Sequence, residues 1–146
     1  MTSLYLWLKF LHIVGLVAFV MPHAVSAAVS FLVRGQVTPQ TRRFLMLSQL
    51  TSFASNPGLL LLVVTGVWMG FIANWWGQKW IWTAIVVLVL VAAGMGALSR
   101  PYHMARESKD DAALADRLGK ARPAAVAAIG GIGLLVLIFL MVFKPF

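Results

Sequence analysis

LKFLHIVGLVAFVMPHAVSAAVSFLVRG, residues 8–35, decides how the whole chain is read. A helix in a soluble core needs one apolar face, and the opposite face turns polar. This stretch is apolar all round. Crossing the hydrocarbon of a bilayer takes roughly 20 predominantly apolar residues. Between Lys9 and Arg34 the run meets that length, and only two titratable side chains interrupt it, His12 and His23. It is therefore expected to be a membrane span.

Three further blocks, 57–73, 81–98 and 124–143, join the apolar block 10–33 in the same character. The composition agrees. Of 146 residues, 61% are hydrophobic and 11% charged, less than half the usual share of about 25% charged. The fold class expected is all-α, a polytopic membrane four-helix bundle forming a single integral membrane domain over 1–146. The first block far exceeds the 7–15 residues of a signal-peptide apolar region, so it is expected to be retained as a helix.

The net charge of +8 reads as a topology signal. Arg34, Arg42 and Arg43 lie between the first two blocks. Arg100, Arg106, Lys109, Arg117, Lys120 and Arg122 lie between the last two, so nine of the twelve basic residues share one side. Cytoplasmic loops carry this excess, which predicts an N-out/C-out chain in a bacterial inner membrane. Nucleic-acid binding is not expected, because the basic residues lack interleaved aromatic stacking platforms. With no cysteine, disulfides, thiolate metal sites and thiol redox chemistry are excluded.

Helix 1 is expected over about 4–33, stopped by Arg34-Gly35, with Pro22 as a possible kink. Thr38-Pro39 reads as an N-cap and first helical position, opening a helix over 39–73 bent at Pro57. NWWGQKWIW, residues 74–82, places four tryptophans at the outer turn, where such rings suit the headgroup level. Helix 3 is expected over 79–99, halted or bent by Arg100-Pro101, and helix 4 over 123–143. The cytoplasmic loop 100–122 holds all four acidic residues, and within it residues 106–122 read as a short polar helix with solvated charges.

Gly66/Gly70, Ala93/Ala97 and Ala127/Gly131 stand at the four-residue spacing that lets helices approach closely in lipid. The same small residues can make room for a flat cofactor. His12 and His23, eleven residues apart, are separated by about 16 Å of rise and only ~20° of rotation on an ideal helix. They share a face and cannot both bind one iron. His12 is expected level with Leu61–Thr65. His23 is expected beside the polar cluster Gln49–Ser55 as a hydrogen-bonded core histidine. Ionisable groups inside a membrane are functional candidates, and imidazole is a common axial ligand of haem. His12 is thus the leading metal (haem iron) residue and His23 the other cofactor-binding candidate, the second ligand being His23, a methionine or nothing. His103 is expected to be an exposed loop residue. No His/Asp/Glu cluster has metal-ligand spacing, and the methionines are scattered.

The opening YLWLKFLHIVG resembles a superfamily of small bacterial membrane proteins. It includes a "predicted integral membrane protein" family, CopD-type copper-resistance domains and HemJ-type protoporphyrinogen oxidases. The match falls on Trp7, Lys9 and His12, and TGVWMGF with the tryptophan-rich turn and Lys79 is similar to the uncharacterised branch. The resemblance implies haem b at His12; on the haem reading the role expected is electron transfer with a quinone or porphyrin, or haem handling. After the first helix the chain departs from the oxidases, reading MPHAVSAAVSFLVRG. Two other readings stand beside it. One is a cofactor-free structural or assembly subunit of a larger membrane complex or homo-oligomer. The other is a small transport module, which the absence of acidic residues from the spans disfavours.

Overall fold

The computed structural model describes residues 3–33 and 37–145. The expected stop at Arg34-Gly35 lies outside them. The described residues are mainly helical, with no strand among them: α1 (Ser3–Leu32), α2 (Pro39–Ala54), α3 (Asn56–Ile72), α4 (Lys79–Glu107), α5 (Asp111–Lys120) and α6 (Pro123–Phe143), with a 3-10 turn at Trp75–Gly77. Four spans, α1, α2 with α3, α4 and α6, are long and apolar enough to cross a membrane. Only 11% of the most apolar window of α1, α4 and α6 is buried within the chain. Lipid must cover the rest, which makes this a multi-pass membrane protein by length and composition.

Local chemistry explains the boundaries. Thr38 is extended and its N–H donates to Thr41 Oγ1 at 3.0 Å, one arm of a capping box ahead of Pro39. The α2–α3 backbone runs on through Ser55, whose N–H donates to Thr51 O and whose carbonyl accepts from Leu59, both at 3.1 Å. Pro57 sits in the first turn of α3, where its missing N–H costs little. Asn74 takes a left-handed φ of 52° to turn the chain into the tryptophan-rich hairpin.

The expected end of helix 3 at Ser99 is corrected. α4 continues through Pro101 to Glu107. A proline removes one backbone bond, but the turns beyond it bury Tyr102 and Ala105, and that packing outweighs the loss. The short polar helix expected within 106–122 is present as α5, but it is not wholly solvated. α5 buries Leu114 (0% exposed) and Leu118 (1%) in a cluster with Val29, Val33, Leu45, Tyr102 and Ala105. Only its outer face is solvated, where Lys120 pairs with Asp116 at 2.7 Å. Arg42 fastens this end. It donates to Ser108 O (2.8 Å) and Lys109 O (3.1 Å) and pairs with Asp111 (2.8 Å).

The spans form a ring that is open along one side. α1 packs along α2 and α3, α4 packs along α6, and a shorter α1–α6 contact joins the two pairs. Although consecutive in the chain, α3 and α4 come nowhere within 8 Å of each other, Cα to Cα, among the described residues. Their seam is bridged at one end, the end expected to be outer, by the tryptophan turn, and at the other, expected to be inner, by α2 against α4.

Candidate functional site

The tight α1–α3 contact rests on two glycines. A Cβ on Gly58 would stand 2.6 Å from the backbone of Ala18 and Phe19, and one on Gly15 would stand 2.8 Å from Leu62 N. This crossing sets the level of His12 against α3. His12 Nδ1 lies 3.1 Å from Thr65 Oγ1. That hydroxyl already approaches Leu61 O at 2.6 Å, the shorter contact, so its single proton goes to the carbonyl. The imidazole is therefore the donor, with its proton on Nδ1 and the lone pair on Nε2. The Leu62 backbone offers the ring a further hydrogen-bond partner.

The small residues serve a different end from the one expected. Gly66 leaves space for the His12 ring, whose Cε1 would be 3.0 Å from a Cβ there. Gly70 leaves space for the Trp76 indole at 3.1 Å. On α6 the close approach is made by Gly133 against Val91, while Gly131 meets nothing within 4 Å. The room at Gly66 and Gly70 is thus filled by the chain's own rings. A cofactor ligated by His12 fits the unprotonated nitrogen but not a seat made by those glycines.

His23 departs from expectation. It forms no hydrogen bond among the described residues; its Nδ1 is buried without a partner there, and the ring stacks on Phe19 at a centroid distance of 4.9 Å. Ser26 takes the place expected of it, meeting Ser48 at 2.7 Å and Ser52 at 3.1 Å. Ser52 donates onward to Ser48 O, and Ser55, just past α2, donates to Ser52 O. The competing donor was visible in the sequence, three residues along from His23 and smaller.

His103 lies on α4 and is exposed as expected, but it has company. Arg106 donates to Ser48 Oγ at 2.9 Å and its other terminal nitrogen lies 3.4 Å from His103 Nδ1. Together with Gln49, Ser52, Phe53, Asn56 and Glu107 these two line a cleft of about 520 Å³ at the inner end of the seam. Sequence reasoning passed over Arg106 as one more loop charge. Its signal was its place one helical turn after His103.

At the outer end, Trp75 packs on Trp80 and Trp76 on Trp82, with ring centroids 5.2 and 5.8 Å apart. Lys144 lies 4.1 Å over the Trp75 ring. Trp7 is 65% exposed, and Lys9 and Lys79 are exposed. No group of three metal-ligating side chains converges among the described residues. Comparison with protein-family models, curated proteins and solved structures finds no match to the chain.

Proposed function

We propose that the chain is a small haem b protein of the bacterial inner membrane, with His12 as an axial ligand. The observation that carries this reading is the Thr65 contact at 3.1 Å. It holds Nδ1 as donor and leaves Nε2 unprotonated, the arrangement that outer partners impose on metal-binding histidines. A bound haem would supply one-electron transfer, with a quinone or porphyrin as partner. His23, stacked on Phe19, is the weaker ligand of the two. The resemblance at Trp7, Lys9 and His12 supports the same assignment. The basic excess between α1 and α2 and between α4 and α6 supports an N-out/C-out orientation, with bends at Pro22 and Pro57.

The test is an absorption spectrum of the detergent-purified protein, oxidised and then dithionite-reduced, beside His12→Ala. The expected result is a Soret band with sharp reduced α and β bands, lost in the variant. Its survival in the variant moves the ligand elsewhere. Its absence from wild type after haem is supplied during expression overturns the cofactor reading.

One observation favours a second reading. The rings of His12 and Trp76 fill Gly66 and Gly70, which suits a cofactor-free module docked on a larger membrane complex. No Soret band in wild type is the outcome that selects it.

A further inference from the structure

The cleft at the inner end of the seam holds one fixed cation, one unpaired anion and neutral amides. Arg106 is anchored through Ser48 at 2.9 Å, itself 3% exposed. A guanidinium offers five N–H groups, so this bond and the long contact to His103 leave donors to spare; its Nε is buried without an acceptor. Glu107 is next in the chain, is exposed, and forms no ion pair or hydrogen bond among the described residues. Gln49 and Asn56 face them across the cleft.

Depth identifies the solvent. From Trp80 at the outer turn to Arg106, α4 rises ~39 Å at ~1.5 Å per residue. Hydrocarbon accounts for about 30 Å and the whole bilayer for about 40–45 Å, so the cleft lies among the headgroups of the opposite leaflet. Its α2 face, Gln49, Phe53 and Asn56, continues at helical spacing into Leu60, Val63 and Val67 on α3, which are exposed. A polar pocket that opens into an apolar seam is the shape of a phospholipid, head at one end and acyl chain along the other.

We propose that this cleft binds the phosphoethanolamine headgroup of a membrane phospholipid, Arg106 taking the phosphate and Glu107 the ammonium. Arginine presents paired donors to phosphate oxygens. A plainly anionic headgroup would leave Glu107 opposed by like charge. A choline headgroup has no N–H to give the carboxylate. Phosphoethanolamine satisfies both residues, its phosphate facing Arg106 and its primary ammonium facing Glu107.

The experiment is native mass spectrometry of the full chain in detergent, titrated with dioleoyl phosphatidylethanolamine, phosphatidylcholine or phosphatidylglycerol, and separately with inorganic phosphate. Phosphatidylethanolamine is expected to bind about tenfold more tightly than phosphatidylcholine, the worth of one charge-assisted hydrogen bond. Glu107→Gln is expected to erase that difference. Glu107 has no partner to lose, so the variant folds. Arg106→Gln is expected to weaken all three lipids. Equal binding of phosphatidylethanolamine and phosphatidylcholine by wild type overturns the proposal. So does a preference for phosphatidylglycerol, a preference that survives Glu107→Gln, or phosphate alone binding as tightly as the lipid. None of these readouts depends on haem.

Discussion

The inner end of the molecule and its membrane spans are built on different principles. Around α5, Val33, Leu114, Leu118 and Ala105 are all at most 1% exposed, as in the core of a soluble protein. Along the spans, large apolar side chains such as Leu60 (66% exposed), Leu90 (65%) and Leu135 (68%) point outward. Water drives the first arrangement, because burial removes apolar surface from it. Lipid offers no such gain, so the spans hold together through close approach at glycines and a few hydroxyl and imidazole contacts. The same residue, leucine, is a structural support at one end and a solvent-facing group at the other.

That contrast can be broken most sharply with leucine itself. Leu114→Ala is expected to cost about 2–5 kcal/mol, the usual loss for a buried leucine, read as a fall in unfolding midpoint in detergent. Leu90→Ala is expected to stay within about 0.5 kcal/mol. Equal losses would show that the two ends are not governed by different solvents.

Gly58→Ala tests the span side directly. Its Cβ would stand 2.6 Å from the α1 backbone, so the helices must part, at about 1–3 kcal/mol as in an overpacked core. The readout is thermal stability, paired with Gly131→Ala, which meets nothing and should be silent. A smaller effect is expected from Thr65→Val. An interhelical hydrogen bond within lipid averages about 0.6 kcal/mol, so the fold should survive; if the proposed haem is bound, its Soret band should shift or weaken.

The smallest effect lies in water. The hydrogen bond from Lys120 holds the Asp116 carboxyl below its ordinary range. A depressed carboxylate adds stability that is present above its unfolded value and lost as pH falls through the folded one. α5 should therefore loosen only once the pH falls below the ordinary carboxylate range, through the lowered value. Asp116→Asn should remove that pH dependence, followed by hydrogen exchange of the α5 amides.

Much of the fold was legible because lipid demands long, uninterrupted apolar runs. Residues 10–33 and 124–143 could hardly be anything else, and the Thr38-Pro39 start followed from local chemistry. The end of α4 was not legible, since whether a proline stops a helix depends on what the next turn can bury, and Tyr102 finds its neighbours on α2 and α5. α5 itself was half legible: its charges are plain, but Leu114 and Leu118 reveal their role only against Val29 and Leu45. At the candidate site the level of His12 against Thr65 could be counted along antiparallel helices. Which side chain would win the serines of α2 could not, because Ser26 and His23 compete within one turn.

The seam between α3 and α4 is fastened at both ends, by the tryptophan hairpin outside and by α2, with Arg42 gripping the α4–α5 linker, inside. Such an opening is a buttonhole rather than a door. It can bow at its waist but cannot swing wide, and its middle is reached edgewise from the surrounding lipid.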